Sequence, residues 1–140
     1  ELPLEAAILL YPGETDPSGV TRPGLMLALQ ANRLISSPVA ATIRYRGPLL
    51  DLGNVLVLEP QPSLLFIYAG FGTVFGEVGE VVAPGAPLGL MGGNDPKIDA
   101  ILSQSGEGTG QDRTETLYIE VRDGKTPVNP GDWFRINKER

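Results

Sequence analysis

Glycine and proline decide what this chain can fold into. Eighteen glycines and thirteen prolines are scattered through 140 residues without a repeating period. They punctuate short segments, which favours a turn-rich β fold over disorder. Between the breaks, apolar residues recur with period two, the pattern of a strand with one buried face. The expected fold is mainly β, in a single domain over 1–140.

Several segments carry that pattern. "AAILLY" (6–11) is a strand closed by Pro12 and Gly13, and "GETDPSGVTRPG" (13–24) is a polar, turn-rich connection. "LMLAL" (25–29) is apolar enough for a strand buried on both faces. "ATIRYRG" (41–47) alternates, which puts Ile43 and Tyr45 on one face and Thr42, Arg44 and Arg46 on the other. "NVLVLE" (54–59) and "SLLFIYA" (63–69) flank Pro60-Gln61-Pro62 as a hairpin. "GEVGEVVAPGAPLGLM" (76–91) reads as two short strands about a Pro-Gly turn that close a barrel-like sheet. "TLYIEVR" (116–122) alternates again, with Leu117, Ile119 and Val121 inward. Trp133 is expected to pack the C-terminal tail onto the core, after a turn set by Asn129-Pro130. Only "NDPKIDAILSQSGEGTGQDR" (94–113) differs. Its Asn/Asp cap and Pro96 open a short helix near 95–104, and "SGEGTGQ" (105–111) has nothing to bury and is expected to be mobile.

Composition removes whole classes of function. The chain has no histidine and no cysteine, so thiolate nucleophiles, histidine bases, Ser-His-Asp triads and conventional zinc sites are excluded. Carboxylate-only metal sites and carboxylate acid/base pairs stay formally open. A net charge of -6 and a pI near 4.6 oppose binding to nucleic acid or to anionic membrane surfaces. No apolar run reaches the length of a membrane span, and no signal peptide is visible. The first residue is Glu1 rather than Met, as expected of a processed product or a fragment.

Three stretches in order carry a family likeness. "RPGLMLAL" (22–29), "FIYAGFGTVFGEVGEVVAPGAPLGLMGG" (66–93) and "LYIEVRDGKTPVNPGDWF" (117–134) stand where the lysostaphin/LytM-type zinc metallopeptidases have their first ligand strand, their strand with a catalytic His and glycine-rich hairpin, and their closing strand. Over 6–134 the chain resembles that family, and its ending resembles the EnvC-like branch of murein hydrolase activators. The resemblance implies a duplicated hybrid motif, an antiparallel barrel-sandwich. At every catalytic position the residue departs: the first zinc ligand falls at Arg22, the ligand Asp at Met26, the catalytic His at Gly70, and a His-x-His pair at Thr116 and Tyr118. A guanidinium does not deprotonate to bind zinc, and methionine and glycine offer no hard ligand or base. The family's basic residue before the first-strand glycine is Pro23 here, and a groove aromatic is Leu52.

The resemblance therefore implies a domain without catalytic residues, metal or cofactor. On the closing strand, Thr116, Tyr118, Glu120 and Arg122 share the face where the enzymes hold metal and substrate. A groove there, lined by Arg22, Met26, Tyr68, Gly70, Thr116, Tyr118, Glu120 and Arg122, is the expected partner site, and Tyr and Arg are frequent interface anchors. In the EnvC-like branch the partner is a periplasmic N-acetylmuramoyl-L-alanine amidase. The branch also implies a periplasmic location and an N-terminal coiled coil reaching a division-associated, transporter-like membrane complex.

Other readings compete. Peptidoglycan itself is the second expected ligand, through a groove kept without its chemistry. Lipoyl and biotinyl carriers share the glycine-spaced hairpin but need a lysine at its tip, and the first lysine here is Lys97. For Tyr118 and Arg122, the plain alternative is a solvated strand face with an ordinary Arg–Glu pair, a kind of contact that contributes little. Arg44 and Arg46 are expected on a solvated face, and Glu77 and Glu80 as dispersed turn charges.

Overall fold

The computed structural model describes residues 7–49, 52–92 and 114–134. Among these, ten strands follow in chain order: β1 (Ala7–Leu10), β2 (Leu25–Gln30), β3 (Leu34–Ser36), β4 (Ala41–Pro48), β5 (Asn54–Gln61), β6 (Leu64–Val74), β7 (Val81–Val82), β8 (Pro87–Met91), β9 (Thr114–Asp123) and β10 (Thr126–Val128). The strands expected from alternation are all present, and β3 and β10 are additions too short to show a period. The helix expected near 95–104 and the rest of the 94–113 insertion lie outside the described residues.

Every pairing is antiparallel, and the main sheet runs β1-β2-β9-β6-β5-β4-β7. It stays open, with β1 and β7 at its two ends, so the 76–91 hairpin does not close a barrel. The two strands of that segment do not pair with each other: β7 edges the main sheet beside β4, while β8 forms a smaller sheet off the main path with β3 and the second half of β6. The core lies on one face of the main sheet. There Leu25, Leu27 and Leu29 meet Leu64, Phe66 and Tyr68 and the inward row Leu117, Ile119 and Val121, all within 3% of full burial. Ile35, Leu88 and Met91 cover them from the smaller sheet. Each such side chain contributes roughly 1.5–3 kcal/mol by leaving water.

"LMLAL" is not buried on both faces: Met26 and Ala28 are only half-buried. That role belongs to β6, paired on both sides by β5 and β9, where apolar residues occupy both faces. The C-terminus meets expectation in part, since the Trp133 ring packs 6.2 Å from that of Phe66 but is not the residue that buries. Asn129 caps the 3-10 turn Pro130–Asp132 by accepting from the Gly131 amide at 2.9 Å. The buried anchor is then Phe134, 2% exposed and 5.1 Å from the Phe66 ring, while Trp133 stays 42% exposed.

Two bulges redirect the sheet. At the first, Val55 pairs with Ala69 and Asn54 with Phe71, leaving Gly70 unmatched at φ 111°. β6 bends there and passes from the main sheet to β8. At the second, Ile43 opposes Leu58 and Tyr45 opposes Val57, so Arg44 is the extra residue. Ile43 therefore enters the core while Tyr45 crosses to the opposite face. Simple alternation, which groups the two together, fails at this point because one inserted residue reverses every side chain beyond it.

Candidate functional site

The main sheet has a second, smaller apolar cluster on its outer face. Register places Met26, Tyr118, Ala69 and Val55 side by side across β2, β9, β6 and β5. Leu52, Val57 and Ile67 pack against this group. Period two alone demands it: Thr116, Tyr118, Glu120 and Arg122 alternate with the inward row of β9.

Tyr118, Glu120 and Arg122 form one bonded array. Glu120 is 8% exposed and uses both carboxylate oxygens, accepting from the Tyr118 hydroxyl at 2.7 Å on Oε1 and from Arg122 Nε on Oε2. Arg122 also donates to the Lys125 carbonyl at 3.3 Å. This is the Arg–Glu pair of the plain alternative, but the face around it is not simply solvated, because Tyr118 is only 7% exposed. The ring of Tyr118 lies over Gly24, where an added Cβ would meet ring and hydroxyl atoms at 2.4–2.5 Å.

Burial pushes the Tyr118 phenol above the ordinary tyrosine range, and the bond to Glu120 and that carboxylate's charge push it further. The Gly24 amide and the Arg22 charge pull weakly the other way. Tyr68 is also raised, by burial alone. Below the ordinary tyrosine pKa both folded and unfolded chains hold these phenols neutral, and above it the unfolded chain ionises first. Stability should therefore fall as pH rises past the ordinary value of about 10. Urea midpoints measured across that range check this, and phenolate absorbance of the folded chain should lag behind that of the chain in denaturant.

The expected site residues separate into groups. Register sets Met26 opposite Tyr118, and Arg22 lies near enough to act on the Tyr118 phenol. Arg22 is held by Asp16 at 3.2 Å. That carboxyl, pulled down to about 2 by the Ser18 hydroxyl, the Val20 amide and Arg22, organises the turn before β2. Thr116 lies two residues from Tyr118, exposed, opposite Ala28. Gly70 sits at the bulge, where a Cβ would come 2.3 Å from the Thr116 carbonyl oxygen. Tyr68 does not join them. It pairs with Ile119, so the same parity that aims Tyr118 outward aims Tyr68 into the core, 1% exposed and with no hydrogen-bond partner for its hydroxyl among the described residues.

A concavity among the described residues lies beside the expected groove rather than in it. A hollow of about 1030 Å³ opens beyond Arg122 and is walled by Tyr11, Pro23, Pro127, Val128 and Phe134. Pro127 pairs with Arg122 and Pro23 precedes Gly24, so the hollow adjoins the outer face without including its side chains. Sequence reasoning also missed Tyr45 on this face, since nothing in "ATIRYRG" marks the bulge.

These side chains do not fit a zinc ion. Arg22 is a cation engaged by Asp16, Met26 is a thioether, Tyr118 is a neutral donor to Glu120, and Gly70 has no side chain. Among the described residues no group of three or more His, Cys, Asp or Glu is placed to hold a metal.

The fold itself has known counterparts. No family model matches the sequence, and no curated protein matches it. Among solved structures, a mutant of the catalytic domain of the prophage-encoded M23 protein EnpA from Enterococcus faecalis superposes with a TM-score of 0.70 at 16% identity, over 95% of each chain. A chain of the SpoIIIAH–SpoIIQ complex gives 0.68 at 18% identity, over 94% of each chain. A zinc-containing peptidase from Vibrio cholerae gives 0.64 at 20% identity, over 88% of this chain and 35% of its own. The chain thus spans about a third of that peptidase. The protein has the LytM-type β fold of M23 peptidase domains. Solved examples of this fold include a zinc-containing peptidase and a member of a protein–protein complex.

Proposed function

We propose that the chain is a non-catalytic LytM-like domain that docks on, and activates, a periplasmic N-acetylmuramoyl-L-alanine amidase during cell-wall remodelling at division. The observation that carries this is the Tyr118–Glu120–Arg122 array. It stands on the face where the family resemblance puts the metal and substrate, and it turns that face into a hydrogen-bonded, partly apolar surface. Tyrosine and arginine held in fixed poses are the side chains that anchor protein interfaces at low entropic cost. The SpoIIIAH–SpoIIQ complex supports the reading at the level of fold.

The test is release of soluble murein fragments by a purified amidase of this class, with and without the 140-residue chain. The chain should stimulate release, and Arg122→Glu should reduce the stimulation at least about tenfold while the variant stays folded by its urea midpoint. Full stimulation by the variant removes the Arg122 face from the reading. Stimulation without co-sedimentation of the chain with sacculi separates partner activation from direct binding of peptidoglycan.

A further inference from the structure

The bulge at Arg44 extends the outer face into a strip with an anchor at each end. Register aligns Tyr45, Val57, Ile67 and Glu120 in one row across β4, β5, β6 and β9. A second row beside it runs Gly47, Val55, Ala69, Tyr118 and Met26. Three strand spacings make the strip about 14 Å long. Its middle is apolar and half-covered, with Val57 and Ile67 of intermediate exposure. At one end Tyr45 is 37% exposed, its hydroxyl donating to the Pro48 carbonyl at 2.6 Å. A Cβ on Gly47 would stand 3.5 Å from that hydroxyl, so the ring lies along the glycine backbone and is already held. At the other end Arg122 is fixed by Glu120 and the Lys125 carbonyl, with 36% of its side chain still exposed.

We propose that this strip is the docking surface, that Tyr45 is its second anchor, and that its occupant is an apolar partner segment bearing a single carboxylate at the end over β9. The inference rests on the reading above and adds the footprint and the chemistry of the partner. Charge sets the choice of occupant. Two other cations on or beside this face are already paired, Arg44 with Glu59 at 3.6 Å and Arg22 with Asp16 at 3.2 Å, and Glu120 neutralises only part of the exposed Arg122. A chain with net charge -6 repels an acidic tract, so attraction is confined to one carboxylate reaching Arg122. A pre-ordered tyrosine loses little freedom on binding, which is why such residues contribute more than their area alone would give.

Calorimetric titration with the purified amidase reads the surface through Tyr45→Ala, Arg122→Gln and, outside this face, Leu34→Ala on β3. Tyr45→Ala and Arg122→Gln should each weaken binding about tenfold with unchanged urea midpoints, and Leu34→Ala should be neutral. Affinity of Tyr45→Ala equal to that of the unaltered chain overturns the inference. Should the unaltered chain not bind the amidase, the proposed function fails and the strip is judged with anilinonaphthalene sulfonate, a small apolar anion. Dye binding that Tyr45→Ala and Arg122→Gln each weaken severalfold supports the strip. Dye binding that neither variant changes, or none by the unaltered chain, overturns it.

Discussion

Gly70→Ala is expected to destabilise the domain by about 3–4 kcal/mol, among the largest effects of any single substitution at a glycine here. Two costs add. A side chain at φ 111° is strained in itself, and its Cβ would stand 2.3 Å from the Thr116 carbonyl oxygen, a backbone atom that cannot swing aside. Relief requires β6 and β9 to part at the bulge. Gly85→Ala separates the two terms, because φ there is 83° but nothing lies within 4 Å of the added Cβ. It should cost only about 1–2 kcal/mol. Urea unfolding of both variants checks the difference, and near-equal losses would refute the close approach. The consequence reaches function. The family resemblance places a catalytic histidine at Gly70, and a histidine there meets the same strain, so restoring that residue alone would not restore the enzymes' geometry.

Phe66→Ala should cost about 3–5 kcal/mol. Phe66 is 1% exposed at the centre of the aromatic cluster, with Phe134 at 5.1 Å and Trp133 at 6.2 Å. Its loss leaves a cavity that the sheet cannot close, since β6 is fixed on both sides by β5 and β9. It also frees the turn at Pro130–Asp132, which is tied down mainly through Phe134. The chain has one tryptophan, so Trp133 fluorescence reports on this site alone. The expected result is a lowered urea midpoint together with a red-shifted emission from the folded variant. A loss of stability without a red shift would mean that the turn docks independently of Phe66.

Much of the architecture was legible before any coordinates. Alternation in "TLYIEVR" assigned Leu117, Ile119 and Val121 to one side and Tyr118, Glu120 and Arg122 to the other, and both assignments hold in the structure. Short strands such as β3 and β10 left no trace, because three residues do not show a period. The groove expected from the family resemblance includes Tyr68, and strand parity turns that side chain into the core. Tyr45 was misplaced for a related reason: a bulge is decided by how two strands match, and each strand alone looks regular.

The sequence by itself determined the fold class, the inward and outward sets of the regular strands and the absence of any histidine or cysteine chemistry, because these depend on composition and local period. Only the tertiary structure decided that the sheet stays open, that Glu120 binds Tyr118 and Arg122 at once, and that Tyr45 reaches the same face. Each of those depends on register between strands distant in sequence. Register is set by the summed packing of the whole sheet, and no single segment contains it.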